Sequence, residues 1–348
     1  MIGISVYAGM DNSIEEILQY MEKANDLGID LLFTSAHIPE VKKNFMKDFE
    51  TILNLSTKLG FTTIVDISKG YFDQLDFSKY KIDYIRLDYG FTLEEAAKMT
   101  QKHDFGISVN ATTFDKNQIE EFIKYGGKVD KINACHNFYP RKHTGISEEL
   151  LIEKNKIFNE YGIKTMGFIA SHYRRRGPVY EGLPTLEKHR ELNPIISAQH
   201  LLQLGLDYII IGDSMASTEE LEIISSIRKD IILLPIELKD NLTEVELDLL
   251  QQVHTNRSDP GEYVIRSQES RLIKKGKIIP NNNGIPRNTY YVTIDNEKYN
   301  RYEGELQILQ IDLPSDERVN VVADAKEAKL LIDFLAPNKK FKFYFTKS

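Results

Sequence analysis

Three short apolar runs of the chain end in a carboxylate: Asp66 in VDIS, Asp88 in RLDYG and Asp213 in GDS. Carboxylates that face one another across a site can act as acid, base or nucleophile when a glycosidic bond is cleaved. Each can instead cap a helix or hold an arginine, and Asp213 fits that structural role best because Ser214 and a helix-start pattern follow it. Arg86 and Asp88 are two residues apart, so their side chains share one face of a strand. Burying such charges among helices is costly, which favours an open strand end for both.

A dense group of polar side chains follows another apolar run, in KINACHNFYPRKHTGIS at 131–147. Arginine and histidine can hold a phosphate or carboxylate, and asparagine and tyrosine can hold hydroxyl groups. The alternative is a buried histidine beside a solvated basic loop. Cys135 and His136 do not form a catalytic dyad, because neighbours on a strand face opposite ways. The candidate binding residues here are Asn110, at the end of the preceding run, and His136, Asn137, Tyr139, Arg141 and His143.

The segment SHYRRRGPVYEGLPTLEKHR, at 171–190, is predicted to be the longest connection of the first domain. Its glycines and prolines indicate fixed turns, and such loops are commonly lids or specificity elements. Glu181 is a candidate general acid if apolar surroundings raise its pKa. Glu187 lies in TLEKHR, which predicts the first turn of a helix capped by Thr185, so a structural role is favoured for it.

Several familiar motifs are missing. There is no HxH or HExxH spacing for a metal and no GxGxxG or GxxxxGK[ST] for a nucleotide. No GxSxG elbow suggests a serine hydrolase. We therefore expect neither a metal nor a cofactor. Lys69 could form a Schiff base with a carbonyl substrate, although a solvated lysine is the simpler interpretation.

The elements that must position these residues alternate regularly. Eight β-rich runs are separated, for the most part, by ten to twenty residues with helical spacing, a pattern typical of an α/β (β/α)8 TIM barrel. In that fold the chemistry lies at the carboxyl ends of the strands, where the candidates above fall. The runs are 2–7, 31–37, 62–66, 84–88, 107–112, 131–137, 163–169 and 208–214.

The sequence changes character near residue 240. Before it lies the predicted barrel domain, 1–239. After it, short alternating strands with Pro, Gly and Asn turns predict a smaller β-rich domain, 240–348. Residues 240–253 predict a helix between the two, and 324–337 predict an amphipathic helix before a last strand, FKFYF.

Composition limits the possible partners. A formal net charge of −8 offers no electrostatic basis for binding nucleic acid or an anionic membrane. No apolar stretch approaches the roughly 20 residues that span a bilayer, and the N-terminus lacks the features of a signal peptide. A single cysteine fits a reducing compartment. We therefore expect a soluble cytoplasmic protein with a small-molecule substrate.

Several motifs together resemble the 6-phospho-N-acetylmuramidase family (MupG-like), some of whose members were labelled outer surface proteins. They are RLDYGF (86–91), HNFYPRKHTGIS (136–147), RGPVYEGLPTLEKHR (176–190), IGD (211–213), VIRSQESR (264–271), IDN (294–296) and YEGELQI (302–308). The resemblance covers essentially the whole chain. It implies a TIM barrel followed by a smaller cyclophilin-like β-domain. It also implies an exo-acting glycosidase of cytoplasmic peptidoglycan recycling that splits MurNAc 6-phosphate–GlcNAc.

From motif position we expect Glu181 to be the general acid, with Asp88 or Asp66 opposite it as nucleophile, base or orienting group. Arg86 and Asp213 join the candidate binding residues. In the second domain Arg266 and Arg271 are candidates for a phosphate clamp, or alternatively for ion pairs between the domains. Two other classes stay open: a phosphosugar lyase or aldolase that uses Lys69, and a sugar-phosphate sensor without catalysis. The sequence gives no reason to assign prolyl-isomerase activity, since a shared fold does not carry function.

Overall fold

The computed structural model describes residues 2–36, 45–72, 79–281 and 284–346. Within these ranges eight parallel strands pair in sequence order, and the last pairs with the first to close a barrel. The predicted TIM barrel is confirmed. The strands are β1 (Ile2–Ser5), β2 (Leu31–Ser35), β3 (Thr62–Ile67), β4 (Tyr84–Leu87), β5 (Gly106–Asn110), β6 (Ile132–Cys135), β7 (Lys164–Ile169) and β8 (Tyr208–Ile211). Each lies within a predicted run or extends one residue beyond it, and the end of the second run, His37, lies outside the described residues.

Helices alternate with the barrel strands because the sequence supplies start signals and one apolar face. Capping boxes begin four of the barrel helices described here, for example at Ser13 with Glu16 and at Thr92 with Glu95. None of the described helices is long and apolar enough to cross a membrane. They are α1 (Ile14–Asp26), α2 (Phe45–Leu59), α3 (Lys69–Phe72), α4 (Leu93–Lys102), α5 (Lys116–Lys124), α6 (Glu148–Glu160), α7 (Pro194–Gln203) and α8 (Thr218–Ser225).

The inside of the barrel is filled by alternate strand residues. A buried apolar cluster joins Tyr7, two residues beyond β1, to inward positions of five strands, namely Leu31, Phe33, Ile64, Cys135, Met166, Phe168 and Ile210. Burying each large aromatic or aliphatic side chain stabilises the fold by about 1.5–3 kcal/mol. This packed interior is a rigid base for the residues at the carboxyl ends of the strands, which we call the barrel mouth.

The second unit is built on a sheet. Within the described residues seven strands form it in the order β10-β15-β9-β14-β12-β13-β11, with one parallel pair, β15 with β9. The strands are β9 (Ile231–Leu238), β10 (Val253–Thr255), β11 (Val264–Arg266), β12 (Tyr291–Asp295), β13 (Leu306–Leu309), β14 (Val319–Asp324) and β15 (Lys340–Phe345). The helices are α9 (Glu244–Leu250), α10 (Ser270–Ile273) and α11 (Lys329–Ile332). The predicted smaller β-rich domain is therefore present.

The boundary between the two units differs from the expected one. The first compact unit ends at Ser226 and the second begins at Ile227, instead of at residues 239 and 240. The difference is β9, which has the buried aliphatic composition of a barrel strand but pairs with β15 and β14. Only this non-local pairing assigns β9 to the second unit. The local sequence pattern, which cannot show the pairing, assigned the strand to the barrel domain.

Candidate active site

The barrel mouth has a polar half and an aromatic half. On β2 to β5 the last inward residues are polar, and strand register sets Ser35 beside Asp66 and Asp66 beside Arg86. On the other side Tyr7 and Phe168 belong to the apolar interior cluster, and Phe138 packs against it. Such a mouth offers charged and hydrogen-bonding groups on one side and ring faces on the other.

Arg86 and Asp66 form the centre of the polar half. Arg86 Nη1 donates to Asp66 Oδ1 at 2.5 Å, and Nη2 donates to the Asn137 side-chain oxygen. Burial by itself lowers the pKa of Arg86, but Asp66, Cys135 and Asp88 together outweigh burial and raise the pKa above its ordinary value. Arg86 therefore stays charged although only 7% of it is exposed, and it fixes the orientation of the Asp66 carboxylate.

Three buried polar atoms in the same layer as this pair have no hydrogen-bond partner among the described residues. They are Arg86 Nε, Ser108 Oγ and Asn133 Oδ1, on three adjacent strands whose register places these residues side by side. Buried polar groups are usually bonded, because leaving one unpaired costs about 1–3 kcal/mol. Unused donors and acceptors at a strand-end site are the property expected of a binding site.

The aromatic half is held together by edge-to-face contacts. Phe138 lies 5.1 Å from Phe168 and 6.3 Å from Phe33 between ring centroids. The Tyr7 hydroxyl donates to the Gly212 carbonyl at 2.9 Å, and burial raises the pKa of that hydroxyl. The Arg176 guanidinium lies over the rings of Tyr7 and Phe138. Sequence analysis did not select Tyr7, although the alternation Gly3, Ser5, Tyr7 could have placed it inside.

Asp213 anchors the 171–190 loop from within. It is fully buried, and its oxygens accept backbone N–H groups from Ser171 at 2.9 Å, Arg176 at 3.0 Å and Leu183 at 3.3 Å. Burial raises the pKa of Asp213, although these three bonds lower it in part. The contacts are those of the structural role that the sequence favoured for this residue.

Asp11 ties the same loop to the end of β1. Its carboxylate accepts hydrogen bonds from Gly177 N at 2.9 Å, the Tyr180 hydroxyl at 2.8 Å and Ser214 Oγ at 3.1 Å. Burial opposes ionisation, but these bonds prevail and the pKa of Asp11 falls below its ordinary value. The path of the loop is thus set by two carboxylates distant in sequence.

Glu187 and Arg190 join the 171–190 loop to the 136–147 loop. Glu187 accepts the N–H groups of His143 and Gly145, each at 2.8 Å, and Arg190 donates two hydrogen bonds to it at 2.6 and 2.8 Å. The bond from Arg190 is the main reason why the pKa of Glu187 is about 2. The predicted helix start here is a short 3-10 turn, Glu187–His189, and Thr185 does not cap it. Thr185 Oγ1 instead accepts from Phe168 N, a link back to β7.

Arg190 organises both loops through their carbonyl groups. Only 3% of it is exposed, and its two terminal nitrogens donate to four backbone oxygens across the two loops. Those oxygens belong to Tyr139, Arg141, Glu181 and Gly182. Nothing local in the sequence distinguishes Arg190 from the other arginines of this loop, so sequence analysis missed it.

His136 faces away from the mouth, contrary to its selection as a binding residue. Its Nε2 lies 2.9 Å from Asn155 Oδ1 on α6, and burial lowers its pKa to about 4. Cys135, one residue earlier, points into the apolar interior, and burial raises the pKa of its thiol to about 12. Asn137 follows the same alternation inward and meets Arg86. The alternation of a strand thus explains why one of these candidates is excluded and its neighbour retained.

The remaining candidates of the 136–147 loop lie near its surface. Arg141 and His143 are exposed and Tyr139 is half-buried, with its backbone held by Pro184 and Arg190. Asn110 accepts the Thr112 N–H within its own turn. The roles of these residues in binding stay predictions.

Glu181 is partly exposed, and its Oε2 accepts the Lys142 N–H at 2.8 Å. This is a polar setting rather than the apolar enclosure that the sequence suggested. Asp88 is exposed, one residue beyond the end of β4, and its charge contributes to the raised pKa of Arg86. Both carboxylates therefore stand on the rim, whereas Asp66 lies inside the mouth.

Lys69 makes an ion pair with Glu95 at the start of α4. The hydrogen bond from Lys69 is the main reason why the pKa of Glu95 is about 2. An ammonium group held by a carboxylate keeps its proton and is a poor amine nucleophile. The structure therefore gives no support to a Schiff base at this residue.

Arg266 and Arg271 have acidic partners within the second unit. Arg266 donates to Asp259 at 3.2 Å, and Arg271 Nε lies 3.4 Å from the buried carboxylate of Glu305. Nearby, burial and then the charge of Glu305 raise the pKa of Asp295 to about 7. The ion pairs seen for both arginines lie within the second unit, and their role as a phosphate clamp stays a prediction.

No group of three or more His, Cys, Asp or Glu side chains in the described residues could hold a metal ion. The chemistry that these residues can supply is that of carboxylates, guanidinium groups and aromatic rings.

A parallel eight-stranded barrel with a carboxylate–arginine pair and two ordered loops at its mouth defines a TIM-barrel enzyme. The chain belongs to the 6-phospho-N-acetylmuramidase family. The family's N-terminal domain matches residues 2–226 and its C-terminal domain matches residues 232–344. The family is one of glycosidases, which are hydrolases, and it implies a small sugar-phosphate substrate.

Two solved structures resemble the whole chain. An uncharacterized Bacillus cereus protein is 31% identical over 99% of both chains, with a TM-score of 0.85. A conserved Enterococcus faecalis protein of unknown function is 29% identical over 99% of this chain and 96% of that one, with a TM-score of 0.81. No curated protein matches the chain significantly.

Proposed function

We propose that the protein is a cytoplasmic exo-acting 6-phospho-N-acetylmuramidase of peptidoglycan recycling. In this reaction it hydrolyses MurNAc 6-phosphate–GlcNAc to MurNAc 6-phosphate and GlcNAc. The observation that carries the proposal is the match of both halves of the chain to that family. The barrel mouth supports it with carboxylates on one side and aromatic rings on the other, since a sugar ring needs hydrogen-bonding partners at its edge and apolar contact on its face.

For the chemistry we propose Asp66 as nucleophile or base, with Asp88 as the alternative at the same strand ends. Arg86 holds one Asp66 oxygen at 2.5 Å and orients the carboxylate toward the mouth. A carboxylate paired with a buried guanidinium is suited to stabilise positive charge at the anomeric carbon or to attack it, rather than to donate a proton.

Glu181 is the proposed general acid. It lies on a loop that Asp213 and Arg190 hold in place. Glu181 Oε2 accepts the Lys142 N–H, and Oε1 accepts no hydrogen bond from the described residues. The other oxygen is then the one suited to carry a proton to the leaving sugar. Asn110, Asn137, Tyr139, Arg141 and His143 border the mouth and are the proposed partners of the sugar's polar groups.

Product analysis tests the function. The purified protein is mixed with MurNAc–GlcNAc with and without the 6-phosphate, and products are identified by mass spectrometry. Release of GlcNAc from the phosphorylated disaccharide alone is expected. Cleavage of both disaccharides would retain the glycosidase and refute selection for phosphate. Cleavage of neither would refute the proposed function, and tight binding of MurNAc 6-phosphate in that case would indicate a sensor.

A further inference from the structure

Three consecutive arginines of the 171–190 loop differ in their partners. Arg174 Nη1 donates to Glu16 Oε1 at 2.8 Å, and Arg175 makes a two-point pair with Glu191 at 2.7 and 3.1 Å. In the described part of the chain the Arg176 side chain makes neither an ion pair nor a hydrogen bond. The guanidinium of Arg176 is thus available to bind an anion, whereas those of Arg174 and Arg175 are already paired with carboxylates.

Aromatic rings hold Arg176 in place. Its Cζ lies 4.4 Å from the centroid of the Tyr7 ring and 4.9 Å from that of Phe138. Contacts with ring faces use the flat surface of a guanidinium, and its N–H donors lie in the guanidinium plane and stay free to bind. The rings therefore fix the position of the cation without consuming its donors.

Asp213 and Asp11, the two carboxylates that hold the loop around Arg176, do not form an ion pair with its side chain. The oxygens of Asp213 are taken by three backbone N–H groups, and those of Asp11 by one N–H and two hydroxyl groups. Arg176 Nε is also buried without a partner. An unpaired buried donor costs about 1–3 kcal/mol, a cost that a bound acceptor would remove.

Arg176 shares the barrel mouth with Asp66. Burial is the main influence on the pKa of Tyr7, but Arg176 lowers that pKa and Asp66 raises it, so both charges act on this one ring. A ligand group on Arg176 would thus lie over the aromatic half of the mouth, with Asp66 and Arg86 in the polar half. In a chain of net charge −8 this local positive charge is what could attract an anion.

We propose that Arg176 is the residue that binds an anionic group of the substrate, either the phosphomonoester or the lactyl carboxylate of the sugar. The inference rests on the proposed function, and it assigns substrate selection to a residue outside the proposed catalytic carboxylates. Both groups can accept two hydrogen bonds from a planar guanidinium. Substrates that lack one group or the other are therefore needed to tell which of the two Arg176 binds.

The test compares wild type with Arg176→Gln on three disaccharides: the intact substrate, one without the phosphate and one without the lactyl group. On the intact substrate the variant should raise KM by about 10- to 150-fold, the effect of losing a hydrogen bond to a charged group, with kcat changed far less. If Arg176 binds the phosphate, wild type and variant will be equal on the unphosphorylated disaccharide, measured as its inhibition constant against cleavage of the intact substrate. If it binds the carboxylate, they will be equal on the disaccharide without the lactyl group.

Two variants control for folding and for nonspecific loss of charge. Arg174→Gln removes a neighbouring arginine whose partner is Glu16 on α1, and it should leave KM unchanged. Arg176→Lys keeps the charge but not the planar donor pair, and its KM should lie between those of wild type and Arg176→Gln. Retained binding by the lysine variant would show that the charge, rather than loop packing, is what matters.

An unchanged KM for Arg176→Gln, or an equal loss on all three disaccharides, would overturn the proposal. So would a rise in KM for Arg141→Ala with none for Arg176→Gln, which would move the anion site to the 136–147 loop. If the wild type cleaves no disaccharide, the proposed function fails. Calorimetry then measures the binding of MurNAc 6-phosphate to wild type and to Arg176→Gln, which tests the anion site separately from the function. A dissociation constant for Arg176→Gln that is about 10- to 150-fold higher than that of wild type would then support the anion site. Equal dissociation constants, or no binding to either protein, would refute it.

Discussion

At the scale of single residues, the carboxylates near the mouth differ in what their oxygens do. Asp66 faces a buried guanidinium, Glu187 is saturated by Arg190 and two N–H groups, and Asp213 is saturated by backbone. One carboxylate oxygen of Glu181 accepts the Lys142 N–H, and the other accepts no hydrogen bond from a described residue. Only residues that retain unused oxygens or lie in the open mouth can take part in proton transfer, which separates the catalytic candidates from the structural ones.

The Glu181→Gln variant tests the acid role. An amide oxygen can still accept the Lys142 N–H, so the loop should keep its conformation while the transferable proton is lost. We expect kcat to fall by at least about 100-fold with little change in melting temperature. Glu191→Gln is the matched control, because that carboxylate pairs with Arg175 and should be dispensable for turnover. A Glu181→Gln enzyme with more than half the wild-type activity would remove Glu181 from the mechanism.

At the scale of elements, the strands were predictable and the loops were not. Each barrel strand corresponds to a short β-rich apolar run in the sequence. Alternation within such a run predicts that Arg86 and Cys135 point inward. The loop path depends on contacts from distant residues, such as Asp213 with Ser171 and Glu187 with His143. No local pattern encodes those contacts, which is why the positions of Arg176 and Arg190 could not be predicted.

The Glu187–Arg190 pair joins the two loops, and its loss should destabilise the barrel unit. Glu187→Gln would leave a buried guanidinium without its charge partner, at a cost on the order of 3 kcal/mol. Chemical denaturation measures this loss, and hydrogen exchange should rise within 139–146 and 181–190. Lys188→Gln removes only an exposed pair with Glu148 and should cost less than about 1 kcal/mol. Equal effects of the two changes would show that the loops are held by other contacts.

At the scale of the whole molecule, buried titratable groups are spread over both units. His136, His189, His200 and His254 are at most 2% exposed, and burial lowers the pKa of each below 6.5, to about 4 for three of them. Asp295 has the opposite shift, to about 7. The neutral histidines stabilise the folded state above pH 6.5 and lose that contribution as the pH falls toward 4.

The free energy of unfolding should therefore decrease as the pH is lowered from 6.5 to 5. The unfolded chain binds protons on its histidines in this range, while the folded histidines remain neutral. Asp295 offsets one of the four, because it keeps its proton in the folded state and releases it on unfolding. Unfolding near pH 5.5 should take up about three protons, and each contributes about 1.4 kcal/mol per pH unit. Denaturation curves that do not change over this interval would contradict the buried, neutral state of the histidines.

The way Asp213 fixes the 171–190 loop has a consequence for the entropy of binding. Ordering a flexible segment costs about 1–2 kcal/mol per residue in backbone entropy, and a loop that orders around its ligand incurs that cost at each encounter. Here one buried carboxylate with three backbone N–H groups, supported by Asp11, has already restricted the loop in the ligand-free chain. The entropy of ordering this loop is therefore lost when the protein folds and not when a ligand binds. A larger part of the free energy of the contacts with a sugar then contributes to binding affinity.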